Sequence, residues 1–468
     1  MRGVGAPSTV LIAGGGIAGI AAALRLAEHD VRVTLVETRK KLGGRATSFT
    51  DSRTGLVLDN CQHVMLGCCT NFADLLRRLG AADMIRWHRE QYWVEAGGRV
   101  STIRRSALPA PLQFAWSMLR APLLTLAEAA AVGRACAAIL RADRREYQDI
   151  TFGAYLRGLR PPQSERLIAR FWSPVIVSAC NMDVDRVAAS AALHVFQEGF
   201  LAHPHAADIG VPAAPLVRLY DRAEEVIRAA GGRIELGESV VHLDATSLTT
   251  GEGRRLEAEC AVCAVPVERV NRIVDERIRA SDPRFAPLDR FTHSPILGVH
   301  LLFDRPVLNL PHAVLVERPT QWVFRKDDEG RAVHAVVSAA DEWVGLPEDQ
   351  IVQRVAADIA ACFPDVRLGE PGGASIVSAR AVKEKRATFA PIPGIDRLRP
   401  GPLPPGATSA RGHVVLAGDY TATGWPATME GAARSGYAAA AAVLGVPAEE
   451  MVAPSLRPAA IPRALAAC

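Results

Sequence analysis

Three clusters in this 468-residue chain have residue types and spacings suited to chemistry. The first is Gly14, Gly16 and Gly19, in the pattern G-x-G-x-x-G, directly after the apolar run Val10 to Ala13. In such a turn the first glycine permits the bend and the second lets backbone approach a pyrophosphate. The third lets the following helix pack on the strand. Gly15, Ile17 and Ala18 complete the turn, and the start of the helix offers free N–H groups to phosphate. A second apolar run, Val31 to Val36, ends in Glu37 and Thr38, where a carboxylate is placed for ribose hydroxyls. The second cluster, Gly43-Gly44-Arg45, suits a further phosphate contact, because arginine is the natural bidentate partner of phosphate. The third lies late in the chain: Gly418-Asp419, then Trp425-Pro426-Ala427-Thr428. A glycine turn alone speaks of a dinucleotide. The turn plus a late Gly-Asp before a small-residue helix speaks of a flavin.

Elements of α/β character position these residues. The pattern predicts strands at Val10–Ala13, Val31–Val36, Arg233–Leu236, Ser239–Leu243, Cys260–Val265 and Arg411–Gly418. It predicts helices at Ile17–Ala27, Leu216–Ala230 and Gly431–Leu444. Ser101 to Pro215 reads as mostly helical. Glu276 to Pro405 mixes strands (Ile296–Phe303, Val333–Ser338) with a helix over Asp349–Cys362. Apolar residues make up 49% and charged residues 22%, as in an ordinary globular chain, and the net charge of +4 carries no global nucleic-acid signal. The nine cysteines lack framework spacing, which points to reduced thiols. Cys260-x-x-Cys263 lies inside an apolar strand with no second pair, so it reads as structural, and no metal site is expected. The uncharged run Gly3 to Leu24 is long enough for a membrane span. Pro7 and the glycine turn argue against that, and no spanning helix is expected.

The order of these motifs resembles the flavin amine oxidase and phytoene desaturase superfamily over roughly Val10 to Leu444. The resemblance implies FAD as cofactor, bound by Gly14, Gly16, Gly19, Glu37, Gly44, Arg45, Gly418 and Asp419, with Val240 or Val241 on the adenine side. It implies a discontinuous Rossmann-like FAD-binding domain made of residues 1–100, 216–275 and 406–446. An α+β substrate domain would comprise 101–215 and 276–405, with a C-terminal tail over 447–468. Three further segments narrow the choice: Asp59-Asn60-Cys61-Gln62-His63-Val64-Met65-Leu66-Gly67, Phe171-Trp172-Ser173-Pro174 with Asn181 and Val195 to Phe200 beyond, and Glu384-Lys385-Arg386-Ala387-Thr388-Phe389, the first and last being the more selective. They look like the squalene-associated branch of the desaturases. Cys61 departs from that pattern where a glycine is expected.

That branch implies reductive removal of the allylic hydroxyl of hydroxysqualene to give squalene, as in hopanoid synthesis. The substrate would be handed on by a preceding isoprenoid synthase. Desaturation of a carotenoid precursor and amine oxidation are the alternatives. Loss of an allylic hydroxyl needs a proton donor. His63 is a candidate, since imidazole titrates near neutrality; equally, it orders its loop by a hydrogen bond. Asp59 either orients His63 or caps a turn. Lys385 would approach the flavin as a lysine does in amine oxidases. Gln62 and Trp425 are candidates for the substrate pocket. Trp172 lines a tunnel or sits in a core, and Glu430 reads as a structural carboxylate at a helix start. Between Arg99 and Arg170 there are twelve arginines, no lysine and five acids. Residues 101–170 are therefore either a helical part facing a membrane or a buried layer with solvated arginines. A cytoplasmic protein with peripheral contact at the inner face of the cell membrane is the resulting expectation.

Overall fold

The structure, a computed structural model, describes residues 6–466. The first five residues of the opening block and the last two of the tail, including Cys468, lie outside the described residues.

Two large sheets organise the chain. The first has five parallel strands in the spatial order Arg233–Leu236, Arg32–Glu37, Thr9–Ala13, Cys260–Cys263, Val414–Leu416. Its strands come from three distant parts of the chain. Their near-continuous apolar character suits a parallel sheet covered on both faces. On one face lie the helices Ile17–Ala27 and Met429–Leu444. They approach closely because small residues meet: a Cβ on Gly436 would stand 2.3 Å from the Ala18 carbonyl oxygen. The other face is covered by the antiparallel sheet Val240–Leu243, Ser247–Thr250, Arg255–Glu257 and the helix Val267–Ile273. Cys260 and Cys263 point into these two separate cores, which is why they neither pair nor share a ligand.

The second sheet has seven strands, ordered Ile376–Phe389, His293–Phe303, Ala332–Val337, Trp322–Arg325, His312–Leu315, Glu90–Val94, Val100–Arg104. The hairpin Glu90–Arg104 belongs to this sheet, so the expected opening block of 1–100 sends its last strand across to the other half of the molecule. Helices over Ala115–Arg120, Leu126–Arg141, Phe152–Gly158, Ser173–Cys180 and Ala189–Phe196 pack beside it around an aromatic core. Two π-helical turns, Ile168–Trp172 and Gln197–Leu201, interrupt this layer. Such turns are invisible to a 3.6-residue periodicity and often mark functional positions.

The expected helix over Leu216–Ala230 is broken into a 3-10 turn, Leu216–Tyr220, and the helix Ala223–Ala229. The 3-10 turn is anchored from outside, because the Leu216 N–H donates to Asp59 Oδ1 (3.0 Å) and the Val217 N–H to Ser48 Oγ (3.1 Å).

Candidate functional site

A cavity of about 550 Å³ is bounded on one side by the glycine turns of the parallel half and on the other by the seven-stranded sheet. The first wall is largely backbone. Gly14, Gly16, Ile17 and Ala18 line it, with Gly43 and Gly44 alongside. Gly15 and Gly19 lie behind the lining. The Gly43 N–H donates to the Gly15 carbonyl (2.9 Å), locking the two glycine turns together. A Cβ on Gly19 would stand 1.9 Å from the Gly14 carbonyl oxygen, so only glycine lets the helix start this close to the turn. Glu37 and Thr38 face the same space. The Glu37 carboxylate accepts from the Gly15 N–H (2.7 Å) and the Arg39 N–H (2.8 Å), and so closes the turn from below. Val240 lines the cavity, whereas Val241 is half exposed and turned outward, as strand alternation requires.

The closing block completes this wall through Gly418, Asp419, Trp425, Pro426, Ala427 and Thr428. Asp419 Oδ1 accepts from Arg45 (2.7 Å), joining two residues 374 positions apart. Burial disfavours the Arg45 charge, but Asp419 more than offsets this and holds its pKa above the ordinary value. Behind the loop, the buried Arg399 donates to the carbonyls of Asp419 (3.1 Å) and Thr421 (2.6 Å). Nothing in the local sequence marked Arg399: it pairs with Asp396 (3.1 Å), but the loop carbonyls it supports lie some twenty residues on. Glu430 is fully buried. It accepts from the Asn71 and Phe72 N–H groups (2.9 and 2.8 Å) and from Arg434 (2.6 Å). It therefore caps the helix Thr70–Arg78, a structural role.

The opposite wall is made of side chains. Trp322 and Phe324 stack at 5.5 Å, and Val314, Ile296, Val336 and Trp93 complete an apolar face. At its edge the strand Ile376–Phe389 is bulged. Glu384 pairs with Ile296 and Thr388 with Ser294, so Pro295 opposes three residues, Lys385 to Ala387. Bulges of this kind re-aim side chains beside sites. Here Lys385 and Arg386 are thrown into solvent, while Glu384, Ala387 and Thr388 face the cavity. Lys385 is thus excluded from the site, because the bulge turns it away. The Ala387 carbonyl accepts from Arg45 (2.9 Å), tying the bulge to the closing block. Glu384, adjacent to the expected lysine, is a cavity-facing carboxylate with no hydrogen bond or ion pair among the described residues.

His63 and Gln62 line the cavity. Nδ1 of His63 lies 3.0 Å from the Cys61 carbonyl and donates to it. Burial lowers the His63 pKa, an effect that this bond and Asp59 only partly counter. Gln62 accepts from Lys326 (3.2 Å). Asp59 does not orient His63. It accepts from Ser48 (2.7 Å) and Leu216 and faces Lys326 (3.5 Å), and it does not reach the cavity. Trp172 is likewise a core residue. It is fully buried against Phe196 (4.8 Å) and Phe152 (6.0 Å), with its indole N–H donated to Gln163 (3.1 Å). A histidine that carried no sequence signal, His194, stands in the cavity wall with its ring 4.6 Å from that of Trp425. Burial first, then the arginines 144, 434 and 399, push its pKa well below the usual range, so it is a neutral ring.

This pairing of a glycine-lined parallel half with a sheet-walled apolar cavity defines a flavoenzyme fold. Residues 17–444 match the model of the flavin containing amine oxidoreductases, and the chain belongs to that family. Among relatives, it is 27% identical to a 15-cis-phytoene desaturase of an Oncidium hybrid cultivar, covering 94% of this chain and 78% of that one. It is 26% identical to a hydroxysqualene dehydroxylase of Sinorhizobium fredii, covering 93% and 98%. Among solved structures, cyclohexylamine oxidase from Brevibacterium oxydans superposes with a TM-score of 0.67 at 17% identity, over 94% and 99% of the two chains. The chain is therefore an FAD-dependent oxidoreductase. The first wall fits the cofactor: the glycine backbone leaves open space before Gly16, where an added Cβ meets nothing nearer than 4.0 Å. No helix among the described residues is long and apolar enough to cross a membrane.

Proposed function

We propose that the chain removes the allylic hydroxyl of a long isoprenoid alcohol, hydroxysqualene, to give squalene. The observation that carries this reading is Glu384, a carboxyl group with no hydrogen bond or ion pair among the described residues, at one edge of an otherwise aromatic and aliphatic wall; in its acid form it is the proton donor. An unsaturated hydrocarbon product without polar groups needs an apolar cavity, and an allylic hydroxyl needs an acid. FAD, held by the glycine turns, Glu37 and the Gly418–Asp419 loop, supplies the hydride equivalent when reduced. The protein's own residues supply the rest. Glu384 gives its proton to the hydroxyl oxygen, the C–O bond breaks, and water leaves with both bonding electrons. The faces of Trp322 and Phe324 stabilise the positive charge left on carbon by about 2 kcal/mol. The balance is R–OH plus a proton plus a hydride, giving R–H plus water. His63, held by its Nδ1 bond to Cys61, is shifted by burial toward the neutral ring, which leaves it little proton to give near neutral pH.

The desaturase relatives favour a second reading, oxidation of a phytoene-type polyene in the same cavity. That reaction needs no acid at Glu384. Incubating the flavin-loaded protein with hydroxysqualene under a flavin reductant separates the two. Squalene by mass spectrometry is expected. Desaturated phytoene in its oxidised counterpart, with no squalene here, overturns the proposal.

A further inference from the structure

Large apolar residues left exposed cluster in one short stretch. Leu108 is 45% exposed, Leu112 48%, Trp116 55%, Leu119 48% and Leu126 70%. Leu112, Trp116 and Leu119 follow helical spacing into and along the helix Ala115–Arg120, so they share one face. The opposite face is anchored. Gln113 is fully buried and donates to the Phe200 carbonyl (2.7 Å), Ser117 donates to the Arg104 carbonyl (2.8 Å), and Phe114 and Met118 pack on the aromatic core. The exposed face is therefore held outward by a rigid support. Residues 101–127 contain no acid and three arginines, of which Arg104 pairs with Glu90 (3.7 Å) and Arg105 with Asp208 (3.1 Å). Arg120 lies over the Trp116 ring at 4.0 Å, and neither it nor Arg134 makes an ion pair among the described residues.

We propose that this face, Leu108 to Leu126, docks on an anionic lipid surface. Leucines and a tryptophan backed by unpaired arginine are the chemistry of a helix lying at the headgroup boundary. The charge is complementary to acidic headgroups. The support matters for function, because Phe200, which Gln113 holds, lines the cavity. Docking therefore seats that end of the cavity at the bilayer, where a C30 isoprenoid dissolves. This last step rests on the reading given under Proposed function; the docking itself does not.

The test uses the flavin-loaded full chain and vesicles of phosphatidylcholine alone or mixed with phosphatidylglycerol. Co-sedimentation is expected with the mixed vesicles at low salt, and about tenfold weaker binding with phosphatidylcholine alone. The double variant Leu112→Asp/Trp116→Asp should lose binding by at least about tenfold, and Arg120→Glu/Arg134→Glu should weaken it on mixed vesicles only. Unchanged flavin absorbance confirms that each variant is folded. Absence of binding at low salt overturns the proposal, as does wild-type binding by the double variant. Self-association in solution that Leu112→Asp/Trp116→Asp abolishes overturns it too, since the face would then be an interface between copies. Squalene formation from detergent-dispersed substrate, measured in parallel, separates a failure of docking from a failure of the reaction.

Discussion

The two walls of the cavity are built on different principles. The parallel half presents backbone: glycine turns, a helix start, and loops whose carbonyls are held by Arg399 and whose carboxylate is held by Arg45. The seven-stranded sheet presents side chains, arranged by cross-strand register and by one bulge. A wall that must approach a phosphate closely needs residues with nothing on their Cα, and these are legible as a spacing. A wall that presents an apolar face to a cavity needs bulk from several strands, and no spacing records which strands are neighbours. The cofactor side is thus local and the substrate side is assembled.

Substitutions can break each wall in its own way. The largest effect is expected from Gly19→Val, which forces a side chain into the Gly14 carbonyl. Flavin should be absent from the purified protein, and its affinity on titration should fall at least about 100-fold. Retention of flavin at native affinity would show that this turn is not the dinucleotide seat. On the other wall, Glu384→Gln should lower turnover by about 10²–10³-fold with flavin affinity unchanged, read by single-turnover oxidation of the reduced flavin. If His63 were the donor, turnover would instead fall as pH rises through a midpoint below 6.5, and His63→Gln would remove that limb.

The join between the walls is tested through Glu268, which accepts from His293 (3.2 Å) and faces Arg386 (3.3 Å) on the bulge. Burial would raise its pKa, but His293, its own backbone N–H and Arg45 bring it down to about 2 from an ordinary 4.5. The folded state therefore holds fewer protons than the unfolded state between these values. The stabilisation is complete above about pH 4.5 and is lost as pH falls toward 2. Glu268→Gln should cost about 2–3 kcal/mol at neutral pH and flatten the stability profile in that acid window, as followed by denaturant titration. The smallest effect is expected from Lys385→Ala. A residue turned to solvent should change turnover by less than about twofold, and a larger loss would return the lysine to the site.

The contrast explains what could be read along the chain. The helix Ile17–Ala27 was legible to the residue, because a glycine turn starts it and its face is uniformly small and apolar. The Glu37 strand end, the Val240–Leu243 strand and, to within two residues, the start of the helix Met429–Leu444 were legible for similar local reasons. Lys385 was legible only as part of a run, and the bulge reversed the direction in which that run presents its side chains. Trp172 and Asp59 have the right residue types, but their partners, Phe196, Leu216 and Lys326, come from elsewhere in the chain, and those contacts spend them on structure. Glu384 was marked only as the first residue of that run, and Arg399 and His194 not at all, since each acquires its meaning from a neighbour across a sheet, a loop or a ring.

By itself the sequence determined that this chain would fold around a flavin. Close approach to a pyrophosphate imposes a rule on consecutive residues, and such a rule survives in one dimension. Which carboxylate faces the cavity, which arginine supports the Gly-Asp loop, and which apolar residues are left outside were decided only in the tertiary structure. These depend on register, on a bulge at Pro295 and on contacts between residues up to 374 positions apart. Their physical basis is burial and pairing across the fold, and neither is a property of any segment alone.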